Sequence, residues 1–257
     1  MAGEVSMSSG QGLLRYERQL AIAGWGKEGQ ERLKKAKVLV AGAGGLGSVI
    51  LLYLAAAGVG RIRIIDSDRV ELSNLNRQTL YSVNDIDRQK AIAAKERLAL
   101  LNPDIEIDAL AESITEENVF DLVGEYPLIV DAMDNLPTRY LLNQVAVSRQ
   151  LPLFHGAVYG FEGRATTVMP PQTPCLRCLY QGALTGQVPV VGVTPAAIGC
   201  IQATEVIKYL IGVGELLTGR VLVYDGLSMT FREARVKKDP NCTACGPRQR
   251  LEVGDVE

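Results

Sequence analysis

The sequence predicts an α/β fold: a doubly wound, mostly parallel sheet with additional strands toward the C-terminus. Three observations predict it. β-type and helical segments alternate from Lys37 to Arg149 at the pitch of βαβ units. A glycine-rich turn, Gly42-Ala43-Gly44-Gly45-Leu46-Gly47, joins the first of these strands to the helix after it. Four of the five cysteines form two Cys-x-x-Cys pairs, Cys175/Cys178 and Cys242/Cys245, in turn-forming sequence of the second half. Two residues between cysteines let both thiolates converge on one ion, and two such knuckles complete a tetrahedral structural zinc site. The long gap between the pairs makes this a staple joining distant segments; four unrelated thiols or two disulfides are the alternative. A closed four-thiolate site has no open position for catalysis, so the chemistry lies elsewhere.

Taken in order, Leu14 to Lys35 is helical in pattern and rich in charge. Lys37 to Gly58 reads as strand, glycine turn and helix, and Arg61 to Asp66 as a second strand. A polar, Asn/Arg-rich segment runs from Asp68 to Gln89. Lys90 to Leu101 is a helix stopped by Asn102-Pro103, and Ile105 to Leu110 alternates like a strand. Thr115 to Gly124 reads as a helix with an acidic first turn, Pro127 to Ala132 as a buried strand, and Thr138 to Arg149 as a helix. Beyond Pro152, Phe154–Tyr159, Gly163–Met169 and Val221–Asp225 suggest further strands, and Ala196–Ile211 another helix.

No linker, repeat or low-complexity run divides the 257 residues, which predicts one domain over 13–247. Residues 1–12, small and Gly/Ser-rich, read as a disordered tail or cloning remnant, and 248–257 as a C-terminal tail. An apolar fraction of 47% is enough for a sizeable core, and a net charge of −2 argues against a broad nucleic-acid footprint. Val38 to Gly60 carries no charge and is long enough to invite a membrane reading, but a strand, a glycine turn and a helix explain it without one. Paired Cys-x-x-Cys without a signal peptide fits a reducing, cytoplasmic setting.

The glycine turn comes after a strand and opens a helix, so its backbone N–H groups and the helix N-terminus suit a phosphate. Asp66, ending the next strand, lies where a carboxylate grips ribose hydroxyls. This Rossmann-like pattern indicates an adenine nucleotide, with an NAD or FAD enzyme as the default on motif alone. The residues beyond Asp68 do not suit hydride transfer. Ser73-Asn74-Leu75-Asn76-Arg77-Gln78 and Lys90 add cations and amides, and Asp134-Asn135 comes after a central strand. A carboxylate there suits Mg²⁺ on phosphates, while Arg77 and Lys90 would neutralise a triphosphate. ATP chemistry uses that set, and nicotinamide chemistry does not.

With Arg15-Tyr16-Glu17-Arg18-Gln19 and Asp66-Ser67-Asp68, these motifs resemble, in order from Leu14 to Gly246, the MoeB/ThiF family of ubiquitin-like-protein-activating enzymes. The resemblance implies a homodimer that binds ATP and Mg²⁺ and adenylates the C-terminal glycine of a ubiquitin-like sulfur carrier protein of the MoaD/ThiS type. A sulfur donor protein would act afterwards. By the same resemblance Gly42, Gly44, Gly45, Gly47, Asp66 and Asp68 bind the nucleotide, and Ser73, Asn74, Asn76, Arg77 and Gln78 line its phosphates and ribose. Lys90 contacts phosphate, Asp134 holds Mg²⁺ beside Asn135, and Arg18 is similar to an arginine inserted into the partner's active site.

The chain departs from the family in the loop after the first knuckle, where Gly186 stands in place of a cysteine linked to thioester or persulfide chemistry. Cys200, in Ala197-Ile198-Gly199-Cys200-Ile201, reads as a buried core thiol at a helix start, so an enzyme-bound thioester is not expected. His155, the one histidine, reads as a satisfied core or edge residue. Three other readings remain open from the residues: adenylation of a small carboxylic acid, an NAD-dependent oxidoreductase, and a non-catalytic half of a heterodimer.

Overall fold

The computed structural model describes residues 13–180 and 189–246. The tails expected at 1–12 and 248–257, and the loop holding Gly186, lie outside the described residues. The elements run α1 (Glu17–Leu20), α2 (Gly26–Lys35), β1 (Lys37–Ala41), α3 (Gly45–Ala57), β2 (Arg61–Ile65), α4 (Lys90–Leu101), β3 (Glu106–Leu110) and α5 (Val119–Val123). Next come β4 (Ile129–Asp131), α6 (Leu136–Arg149), β5 (Leu153–Tyr159), β6 (Glu162–Val168), α7 (Leu176–Leu179), α8 (Val193–Ile211), β7 (Arg220–Asp225) and β8 (Thr230–Arg235).

One eight-stranded sheet carries them in the order β3-β2-β1-β4-β5-β6-β7-β8. Strands β1 to β5 pair in parallel, and β6, β7 and β8 continue antiparallel. Alternation within the central strands feeds two cores. Val38, Val40, Ile62, Ile64, Val130 and Phe154 face α2, α3, α4 and α8. Leu39, Ala41, Ile129 and Leu153 face α5, α6 and α7. Period-2 patterning with both faces apolar is what a doubly covered parallel sheet requires. The strand order reverses between β1 and β4, and ligands of such sheets bind at that switch point, beyond the carboxyl ends of the strands.

Two local expectations are corrected, and one element is new. The helix expected from Leu14 to Lys35 is interrupted where Gly24 and Gly26, flanking Trp25, take φ of +81° and +55°. The helix expected from Thr115 begins only at Val119, because the Asn118 side chain accepts the Thr115 N–H and closes a separate turn. Strand β8 is an element the sequence pattern does not announce: Phe231 to Arg235 is exposed, and its Glu233 pairs across the edge with Arg220. Among the described residues no helix is long and apolar enough to cross a membrane.

The turn from β1 into α3 is tightly packed. A Cβ on Gly47 would lie 2.0 Å from the Gly42 carbonyl oxygen, and one on Gly42 would lie 2.6 Å from the Ala132 oxygen. Backbone crowds both, so neither can yield by a rotamer change. Gly47→Ala is expected to lower unfolding stability by about 3 kcal/mol in urea titration. A change within about 0.5 kcal/mol, typical of a surface site, would show that the turn shifts freely.

Candidate functional site

Strand β1 delivers Gly42 to the switch point with φ of +96°, and α3 starts at Gly45 with no side chain capping its N-terminus. Its first N–H groups therefore have no capping side chain as acceptor, which suits an anion site. The turn is braced from behind by Asp66, whose two oxygens accept from Ala43 N at 2.7 Å and Asp68 N at 2.9 Å. Burial raises the Asp66 carboxyl above its ordinary range, against the opposing pull of the Ala43 N–H and Lys90. Asp68 in turn holds Lys90: its carboxylate accepts from Nζ at 2.8 Å and its carbonyl from the Lys90 N–H at 2.9 Å. The Lys90 side chain is 7% exposed, whereas that of Asp68 is 67% exposed, so the pair runs from the core to the site mouth.

The polar segment after β2 closes the opposite wall. Leu72–Asn74 forms a 3₁₀ turn locked by reciprocal bonds between Glu71 and Asn74. Arg77 is half-buried and donates to the Ser73 carbonyl and Asn76 Oδ1 at 3.0 and 3.1 Å. Gln78 is buried beside Gly44, and its Oε1 has no partner among the described residues. The start of α8 packs onto this wall, with Gly192 against Asn76 and Arg77 and Pro195 against Gly45. Tyr81, which the sequence pattern does not single out, donates to the Ala43 carbonyl at 2.9 Å. Burial keeps its phenol protonated far above the ordinary range.

Asp134 lies beyond β4, after the Ala132–Met133 backbone that abuts Gly42. Its carboxylate is exposed, and its one hydrogen bond among the described residues is from Asn135 Nδ2 at 3.4 Å. Asn135 itself caps α6, accepting the Thr138 N–H at 3.0 Å. Gly42, Gly44, Gly45 and Gly47 thus form the turn at the switch point; Asp66, Asp68 and Lys90 are linked behind it, Gln78 and Arg77 lie beside Gly44 and Gly45 on the segment that carries Ser73, Asn74 and Asn76, and the chain leading to Asp134 and Asn135 runs against Gly42. Arg18 does not join them. It is exposed on α1, whose neighbours Tyr16 and Gln19 touch Gly58 and Ala57 at the far end of α3, about 20 Å of helix from the glycine turn.

The four paired cysteines meet as the spacing predicts, with all four Sγ atoms within 4.8 Å of one another. Cys175 to Cys242 is 3.7 Å and Cys178 to Cys245 is 3.5 Å. A tetrahedron of thiolates with Zn–S bonds of about 2.3 Å has edges of about 3.8 Å, whereas a disulfide needs about 2.05 Å. Burial raises the Cys175 and Cys245 thiols; it opposes ionisation of Cys242 too, but the Cys245 and Ala244 N–H groups bring that one down to about 7. Four close thiolates cannot all ionise without a cation among them. The Asp239 N–H donates to Cys178 Sγ at 3.5 Å, an outer contact of the kind that orients metal ligands.

Cys200 corrects an expectation: it is exposed in the body of α8. Ile198, Gly199, Gln202, Ala203 and Val206 fill the inward face of that helix, and the helical period turns Cys200 outward. His155, by contrast, is buried with both ring nitrogens bonded, as a satisfied core residue.

In urea unfolding without nucleotide, Asp66→Ala is expected to cost about 1–3 kcal/mol, because the Ala43 N–H of the turn and the Asp68 N–H lose their acceptor. Unchanged stability combined with lost nucleotide affinity would mean that the carboxylate serves the ligand alone.

A sulfur carrier protein adenylyltransferase of Thermus thermophilus is 45% identical over 95% of this chain and 94% of its own length. A SAMP-activating enzyme E1 of Haloferax volcanii is 45% identical over 95% of this chain and 92% of its own. Among solved structures, E. coli MccB bound to MccA-N7isoAsn superposes with a TM-score of 0.82 at 23% identity, covering 90% of this chain and 75% of that one, a likeness of fold. The ThiF family model matches residues 16–244, which takes in the glycine turn, the crevice and three of the four paired cysteines with the residue before the fourth, and the chain therefore belongs to the ThiF family.

Proposed function

We propose that this chain is an ATP-dependent adenylyltransferase that activates the C-terminal glycine carboxylate of a ubiquitin-like sulfur carrier protein. One observation supports the reading above others: the α3 N-terminus at the switch point has no side-chain cap, and the segments packed on or linked to its turn carry Arg77, Lys90 and the exposed Asp134 carboxylate. The names of the two relatives at 45% identity support the same acceptor class. The carrier carboxylate attacks the α-phosphorus of ATP, the bond from that phosphorus to the bridging oxygen breaks, and pyrophosphate leaves. A carboxylate is already ionised at pH 7, so no general base is required. Catalysis is positioning and charge neutralisation.

The glycine turn and α3 would seat the phosphates, with the Gln78 Nε2 donor on the Gly44 side of the turn. Lys90, steadied by Asp68, and Arg77, steadied by Ser73 and Asn76, would face the charge that develops on the leaving pyrophosphate. Asp134 fits Mg²⁺, since its carboxylate is exposed with one long contact from Asn135; the ion would supply charge neutralisation on the triphosphate. Arg18, distant from its own crevice, would serve a partner's crevice in a homodimer. The four-cysteine cluster fits Zn²⁺, which would hold the second half together. These parts would form one domain over 13–247.

Asp134→Ala is expected to lower exchange of labelled pyrophosphate into ATP, with carrier present, by about a hundredfold or more while leaving the fold intact. Near-normal exchange would refute the role given to Asp134. Metal analysis is expected to give one zinc per chain, and chelation to lower the thermal midpoint more than it weakens nucleotide binding. Far less than one equivalent, with the thiols free or oxidised, would refute the zinc site.

A further inference from the structure

A second set of titratable groups lies under the crevice and has no part in the chemistry above. Asp131, the last residue of β4, is fully buried; His155 on β5 is 1% exposed and Arg139 on α6 is 7% exposed. Asp131 Oδ2 lies 2.6 Å from His155 Nδ1 and 3.7 Å from Arg139 Nε. His155 Nε2 lies 2.7 Å from the Tyr180 hydroxyl, and the two rings meet edge to face at 5.4 Å. Burial lowers the His155 pKa, so the ring is neutral. One hydrogen-bond pattern then satisfies every member: Nδ1–H donates to Asp131, and Nε2 accepts from Tyr180.

The free ends of this network fall on one residue's backbone. Asp131 Oδ1 accepts from Met133 N at 3.0 Å. Arg139 donates to the Met133 carbonyl through Nε at 3.1 Å and Nη2 at 2.5 Å, and Nη2 also reaches the Gly156 carbonyl at 3.1 Å. Both polar groups of Met133 are therefore gripped immediately before Asp134, while Asn135 is fixed immediately after it as the cap of α6. Between two immobilised neighbours, Asp134 keeps an exposed carboxylate. A buried ion pair is a poor source of stability, since apolar residues of similar volume serve as well or better. Its position supplies the reason for it.

We propose that the Tyr180–His155–Asp131–Arg139 network is a positioning device that sets the Met133–Asp134 backbone, and so aims the Asp134 carboxylate at the metal of the bound nucleotide. The proposal rests on the reading of Asp134 as the Mg²⁺ ligand. Tyr180 stands two residues after Cys178, and its carbonyl accepts from Tyr140 at 3.0 Å. The device therefore also ties the first cysteine knuckle to the nucleotide crevice.

The test is calorimetric titration of the zinc-loaded protein with adenosine 5′-(α,β-methylene)triphosphate, in Mg²⁺-free buffer without chelator and again with saturating Mg²⁺. The gain in affinity on adding Mg²⁺ reads the metal contact directly, without turnover. His155→Leu is expected to reduce that gain about tenfold while Mg²⁺-free affinity stays within about twofold. His155→Asn, which can still donate to Asp131, is expected to recover most of it. An undiminished gain in folded His155→Leu, or an equal fall in both affinities, would overturn the proposal. If His155→Leu does not fold, Tyr180→Phe replaces it, with an expected loss of about threefold in the gain and an undiminished gain as the refuting result. Asp134→Ala is run alongside. If it keeps the gain, the reading of Asp134 fails; if it loses the gain and folded His155→Leu does not, only the positioning role fails.

Discussion

The site depends on one contact between backbones: the turn leaving β1 lies against both the first turn of α3 and the chain leaving β4. Three stretches of main chain share a space that admits no Cβ at Gly42 or Gly47. That approach points the α3 N-terminus into the crevice. It also sets the Ala132–Met133 backbone, and with it Asp134, at the rim. A side chain at either glycine would force the α3 N-terminus away from the chain that carries Asp134. Hydrophobic burial on the two sheet faces supplies the bulk of the stability, but this contact sets where the polar groups meet.

Helix α8 carries that geometry across the sheet. Its start packs on Arg77 and Gly45 through Gly192 and Pro195. At its middle, Gln202 donates to the Asp131 and Phe154 carbonyls at 2.8 and 3.1 Å. Farther on, buried Glu205 accepts from the Thr167 hydroxyl and the Leu217 N–H. One helix thus touches the glycine turn, the end of β4 and the antiparallel strands. Truncation in the second half would therefore be felt at the glycine turn even though no residue of that turn is removed.

Much of this is legible in the sequence, because local patterns report local structure. Apolar runs with glycine punctuation mark β1, α3 and β2, and Cys-x-x-Cys spacing marks the sulfur cluster. What stays hidden depends on neighbours far along the chain. Asp131 looks like the last residue of a buried strand, and Arg139 and Tyr180 like ordinary helix and loop residues; their meeting with His155 is set by the fold alone. Strand β8 carries charge where a strand normally alternates, since an exposed edge has one neighbour to satisfy and aggregation to avoid. Cys200 sits among apolar residues, which suggests burial, and only the helix phase settles that it faces out.

The sulfur staple has a temporal side. Cys175 and Cys242 are 67 positions apart, so the ribosome exposes the first knuckle well before it makes the second. At roughly 5–20 residues per second that interval is about 3–13 s. Strands β1 to β5 precede the first knuckle, so the parallel half can assemble while the cluster is still two ligands short. During that window Cys175 and Cys178 form an incomplete dithiol, able to take up an ion weakly or to react with oxidants. Only after Cys245 has emerged can the four thiols meet, so capture of an ion there would come late in the biogenesis of this protein.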